Sequence, residues 1–180
     1  MSGTDSGFPD ADAPVETMWE GRFITAKRQG RWEYVSRSRG IKAAVILAID
    51  ESHILLVEQY RVPLGKNCLE LPAGLVGDHD DNMDEDAALA AIRELEEETG
   101  YRAEAMEDCG QYYSSPGMVS ESFSLFKASG LTKVGDGGGV DSENITVHRV
   151  ALGELDGFIE RKRAEGTGID VRLLLLSNLV

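Results

Sequence analysis

Arg93-Glu94-Leu95-Glu96-Glu97-Glu98-Thr99-Gly100-Tyr101 closes an alanine-rich stretch that begins near Asp84 and reads as a helix. Glu94, Glu97 and Glu98 stand at i, i+3 and i+4, so three carboxylates share one helix face. Ala87, Ala90 and Ala91 lie beside them and leave that face shallow, while Leu89, Ile92, Leu95 and Thr99 supply the side expected to be buried. Like charges at these spacings cost a helix roughly 0.2–0.5 kcal/mol per pair. A hard divalent cation, which takes oxygen ligands, would relieve that repulsion. A charge run by itself more often faces water. The residues around this one decide between the two.

Working outward, the run from Gly74 to Tyr101 resembles the Nudix box, G-x5-E-x7-R-E-U-x-E-E-x-G-U, where U is bulky and apolar. Glu85, seven residues, then Arg93-Glu94-Leu95, Glu97-Glu98 and Gly100-Tyr101 match its fixed positions. Ten residues rather than five separate Gly74 from Glu85, so the first Glu of the box is either Glu85, after a five-residue insertion, or Asp80. Such an insertion costs little in a surface loop, because closure entropy grows slowly with length. The resemblance implies an α/β fold, the Nudix α/β/α sandwich with a mixed sheet. It implies Mg²⁺, with Mn²⁺ as the alternative, held by Glu94, Glu97, Glu98 and the backbone carbonyl of Ala73. Glu97 and Glu98 are then catalytic as well. Gly74, Glu85, Arg93 and Gly100 become the residues that shape the box, with Arg93 pairing its carboxylates.

Ahead of the box the chain reads as strands. Residues 22–27 and 32–37 flank Gln29-Gly30, a hairpin signal. Residues 43–49 and 54–58 flank a second turn, and Leu69 to Gly74 leads into the box. Beyond it, residues 111–114, 122–128 and 145–150 read as strands, 152–165 as a helix and 171–179 as a second, apolar helix. Three regions are expected: a disordered acidic tail over 1–14, an N-terminal strand pair over 15–40, and a hydrolase domain over 41–180.

Composition narrows the partners. Net charge is −14, from 32 Asp+Glu against 18 Lys+Arg. Such a field repels polyanions, so nucleic acid is not an expected partner. A small phosphate ligand is still admissible, because a bound divalent cation inverts the local sign. Cys68 and Cys109 form no Cys-x-x-Cys, and His53, His79 and His148 are scattered, so no zinc site is indicated. No stretch resembles a signal peptide, and the longest apolar runs fall far short of the roughly 18 residues a membrane span needs. A soluble, cytoplasmic protein is expected.

Substrate clues lie outside the box. Gln59-Tyr60-Arg61-Val62-Pro63, Leu69-Glu70-Leu71-Pro72-Ala73-Gly74 and Ser115-Pro116-Gly117-Met118-Val119-Ser120-Glu121 resemble the ADP-ribose and ADP-sugar pyrophosphatases, with Pro116 fifteen residues after Tyr101. GDP-mannose and other nucleotide-sugar hydrolases share parts of this pattern. The resemblance implies hydrolysis of the diphosphate of ADP-ribose, or a close nucleotide-sugar, to AMP and ribose 5-phosphate. The alternatives are a GDP-mannose or broad nucleotide-sugar pyrophosphatase, and a non-catalytic ADP-ribose sensor. It further implies a homodimer in which Phe23 and Trp32, with Arg37 nearby, meet adenine across the interface. Packing by the same aromatics is the other reading. Arg61 would neutralise a phosphate or close a strand-end ion pair. Met118 and Glu121 would contact the substrate, Glu121 through ribose hydroxyls.

Gly135-Asp136-Gly137-Gly138-Gly139-Val140-Asp141-Ser142-Glu143-Asn144 reads as a mobile loop, since four glycines give backbone freedom. By resemblance it delivers Asp141 and Glu143 to the chemistry. Glu143 would serve as metal ligand or base, and the division between the two acids stays open.

Overall fold

In the computed structural model the described residues are 7–38, 42–76, 86–139 and 143–176. Contacts group them into two units, residues 1–42 with 113–122, and residues 43–112 with 123–180. The first unit ends at residue 42 and takes in the Ser-Pro-Gly-Met loop.

The smaller unit is a three-stranded antiparallel sheet, not a strand pair. Its strands are β1 (Val15–Glu20), β2 (Ile24–Gln29) and β3 (Trp32–Arg37), in the order β1-β2-β3. β1 escapes a reading by alternation because all six of its residues are exposed, Val15, Met18 and Trp19 included. The β2–β3 turn is made at Gly30, whose φ of +57° suits glycine. Residues 113–122 add to β3: Val35 N–H donates to the Met118 carbonyl at 3.0 Å, and Ser120 N–H to the Val35 carbonyl at 2.9 Å.

Residues 7–14 depart from the expected disordered tail. Asp10 pairs with Arg31 at 2.7 Å, and the Ala11 carbonyl accepts from Gln29 Nε2 at 2.9 Å. One acidic side chain thus meets a hairpin cation, and one backbone carbonyl meets a hairpin amide. Residues 1–6 lie outside the described residues.

The larger unit is built on a mixed sheet of β4 (Lys42–Asp50), β5 (His53–Arg61), β6 (Lys66–Glu70), β7 (Ala73–Val76), β9 (Ala105–Tyr113), β10 (Ser122–Ser129), β12 (Thr146–Ala151) and β13 (Gly168–Ile169). Its order is β13-β6-β5-β4-β10-β9, with β12 on β5 and β7 on β4. β10 runs parallel to β4, and β12, β6 and β4 pair β5 antiparallel. β8 (Tyr101–Arg102) and β11 (Thr132–Lys133) form a small ladder of their own.

Strand β4 reads apolar throughout because both its faces are covered. Val45 and Leu47 join Ile54, Leu56 and Leu69 on one face, against Leu155, Phe158 and Ile159 of helix α2 (Leu155–Ala164) and against Leu173. Ala44, Ile46 and Ala48 join Leu55 on the other, against Ala91 and Leu95 of helix α1 (Ala87–Thr99). Helices on both faces of a mixed sheet make the expected α/β/α sandwich.

Two differences concern the C-terminal third. The helix read over 152–165 is a 3-10 turn, Leu152–Glu154, followed by α2. The second apolar helix is a 3-10 segment, Val171–Leu175, started by Asp170, whose side chain accepts from Arg172 N–H. Among the described residues no helix is long and apolar enough to cross a membrane.

Candidate active site

Helix α1 carries the site. Asp86 caps it, accepting from the N–H groups of Ala88 and Leu89 at 2.9 and 3.2 Å. Gly100 ends it at φ +73° with its N–H on the Glu96 carbonyl. The buried face is Ala90, Ala91, Leu95, Glu98 and Thr99, while Leu89 is exposed. The acidic face is thus partly the inner face, contrary to the sequence-based expectation. Alanines at 90 and 91 let the helix approach the sheet closely, which a leucine at either place would prevent.

That approach brings β7 onto the carboxylates. Ala73 N–H donates to Glu98 Oε2 at 3.0 Å. A Cβ at Gly74 would overlap the carboxyl group of Glu94, so any larger residue there must displace that side chain. Arg93 Nη1 reaches Glu94 Oε1 at 2.9 Å and Glu97 Oε2 at 3.2 Å, tying two carboxylates together.

Glu98 is the telling group. It is only 4% exposed. Burial pushes its pKa up to about 8; the Ala73 N–H opposes this, the carboxylates of Glu94 and Glu143 add to it, and Arg61 weakly offsets it. Burial first, with two other acids beside it, favours a proton or a cation on this carboxylate. The donor set is hard oxygen throughout, which suits Mg²⁺ or Mn²⁺. Among the described residues no three acidic, His or Cys side chains form a finished cage. The oxygens of Glu94, Glu97 and Glu98 turn instead to Arg93 and Ala73. By donor chemistry, rather than by the geometry present, those residues suit a divalent cation.

Arg61, at the end of β5, is held by Glu70. Its Nε and Nη2 reach the two Glu70 oxygens at 2.6 and 2.7 Å. Glu70 is buried and also accepts from Arg172 Nη2 at 2.8 Å, and Arg172 pairs with Asp170 at 2.6 Å. Of the two readings of Arg61, the ion pair is the one present, with its charge still felt at Glu98. Glu70, Asp170 and Arg172 were not singled out from the sequence. A lone acid between Leu69 and Leu71 in an apolar strand was the available signal.

In the smaller unit, Arg37 Nε meets Glu121 Oε1 at 2.6 Å. The pair lines a cavity of about 610 Å³ with Lys27, Lys42, Ser36 and Ser120. Phe23 and Trp32 are 56% and 53% exposed and do not line that cavity. Arg22 covers the Phe23 ring at 5.0 Å. Met118 is exposed, its carbonyl bonded to β3. Asp80, Glu85 and Asp141 lie outside the described residues.

Known proteins resemble this chain. A NUDIX domain matches residues 39–166. The methanol dehydrogenase activator of Bacillus methanolicus is 40% identical over 121 residues, 67% of this chain and 63% of that protein. The ADP-ribose pyrophosphatase of Bacillus subtilis is 32% identical over 120 residues, 66% of this chain and 62% of that protein. Matches to these two relatives thus span a little under two thirds of their length. The GDP-mannose pyrophosphatase of Cronobacter sakazakii is 35% identical over 170 residues, 89% of this chain and 80% of that protein. A solved structure of an ADP compounds hydrolase shares the fold, with a TM-score of 0.65, covering 82% of this chain and 80% of that one at 23% identity. With that domain match over most of its length and the Arg93–Gly100 motif folded against Gly74, the chain belongs to the Nudix hydrolase family.

Proposed function

We propose that this protein is a Mg²⁺-dependent hydrolase of ADP-ribose or a close nucleotide-sugar, releasing AMP and ribose 5-phosphate. The observation that carries the reading is Glu98, buried against the Ala73 N–H with Glu94 and Glu143 acting on it. Glu94, Glu97, Glu98, Glu143 and the Ala73 carbonyl would hold the cation, with Mn²⁺ as a substitute. Bound divalent ions neutralise and orient phosphate oxygens and lower the pKa of water. The protein's own part is to place charge. Arg93 keeps Glu94 and Glu97 together, β7 seats Glu98, and either Glu143 or Asp141 would take the proton from the attacking water. Arg37 and Glu121 offer a donor and an acceptor to sugar hydroxyls in the cavity they line. Phe23 and Trp32, exposed on the three-stranded sheet, would stack adenine at the edge of a second subunit. The names of the pyrophosphatase relatives support this substrate class.

The GDP-mannose pyrophosphatase relative, aligned over most of both chains, supports a second reading of the same chemistry on another sugar nucleotide. Turnover of ADP-ribose, ADP-glucose, GDP-mannose and a dinucleotide, side by side in Mg²⁺, distinguishes them. ADP-ribose should give the largest kcat/KM, with AMP as product. GDP-mannose in first place would replace the substrate. Tight ADP-ribose binding without AMP release would mark a sensor.

A further inference from the structure

The last carbonyls of a helix have no partner inside it. In α1 two of them belong to Glu97 and Glu98 themselves. Gly139 N–H donates to the Glu97 carbonyl at 3.0 Å, and Gly138 N–H to the Glu98 carbonyl at 2.8 Å. Val134 and Gly135 donate to the Gly100 carbonyl at 2.8 and 3.1 Å. The Gly138 carbonyl accepts in turn from Ile145 N–H at 3.1 Å, and Ile145 is buried. The glycine run, which reads from sequence as a mobile segment, is therefore bonded at its base to the backbone of the residues that carry the site.

Glycine is needed here for fit. Gly137, Gly138 and Gly139 have φ of +70°, +109° and +78°, where L side chains are strained. A Cβ at Gly137 would overlap the Thr99 backbone, and a Cβ at Gly139 would overlap the Glu143 carboxylate. At Gly138 the nearest atom would be 3.7 Å away, so only its φ demands glycine.

We propose that Gly137, Gly138 and Gly139 are positioning residues: they cap α1 and hold Glu143 beside its C-terminal end in the free protein, so this acid is preorganised rather than carried in by substrate. The role given to Glu143 rests on the hydrolase reading above; the tether itself does not.

Amide exchange of the full chain, without metal or substrate and resolved residue by residue, tests the tether directly. The amides of Gly138 and Gly139 should exchange at least about 100-fold more slowly than those of an unstructured chain. Exchange at the unstructured rate overturns the proposal. Gly139→Ala tests the consequence, with Gly153→Ala as control, since a Cβ at Gly153 meets nothing within 4 Å. In Gly139→Ala, kcat for ADP-ribose should fall at least about tenfold while KM stays within about threefold. Gly153→Ala should match wild type. A KM change with kcat intact, or no change in either, contradicts the positioning role. If Gly139→Ala fails to fold, exchange in the wild type still decides. Absence of turnover by the wild type removes the hydrolase reading and leaves the exchange result to judge the tether.

Discussion

The proposed chemistry centres on the Glu98 carboxyl group. Its folded-state pKa, about 8 against an ordinary glutamate value of 4.5, means that the metal-free folded chain holds this proton more tightly than the unfolded chain does. Its contribution to stability is therefore full below the ordinary value and is lost as pH rises through about 8. A cation competes with the same proton. Mg²⁺ binding at about pH 7 should release close to one proton, and apparent affinity should rise with pH until about 8 and then level. Calorimetry in two buffers of different ionisation enthalpy reads this directly. Affinity that is flat between about pH 6 and 8, with no proton released, would remove Glu98 from the ligand set. Arg61 teaches a related lesson at this scale. Its sequence context admits a phosphate contact or an ion pair, and the buried Glu70 takes its Nε and Nη2.

Strand β7 and helix α1 work as a pair, and Gly74 sets their separation. Gly74→Ala should push Glu94 off its position, costing about 1–3 kcal/mol in the overpacked contact. It should also weaken the stabilisation by Mg²⁺. Thermal unfolding with and without Mg²⁺ checks both, and an unchanged response would mean that the close approach is dispensable. The box was legible in the sequence because its spacing is a helix repeat followed by a C-capping glycine. Strands β4 and β5 were legible because each holds a continuous apolar run, and β10 because apolar residues recur along it. β1 was not, since a strand exposed along its whole length leaves no alternation to read. The inward turn of Glu98 was not legible either. Helical spacing gives which residues share a face, but the size of Ala90 and Ala91 decides which face the sheet receives. The glycine run illustrates the same limit. Positive φ permits a loop to move, but here it permits a fit.

At the scale of the whole molecule, the smaller unit exposes Val15, Met18, Trp19, Phe23 and Trp32. If this sheet meets a second subunit and completes the adenine site, Trp32→Ala should weaken substrate binding by about 1–3 kcal/mol. Sedimentation should show a dimer that survives this single change. A monomer with unchanged KM after Trp32→Ala would refute both the interface and the stacking role. Against a net charge of −14, a phosphate substrate is best received beside a bound cation, so the proposed activity turns on whether α1 holds one for catalysis. The most direct measurement is AMP release from ADP-ribose in saturating Mg²⁺ by wild type and Glu98→Gln, with the fold of each checked by unfolding. Wild type should turn over, and Glu98→Gln should lose about 10²-fold or more in kcat while staying folded. Near wild-type turnover in folded Glu98→Gln would contradict the assignment of this helix as the catalytic centre.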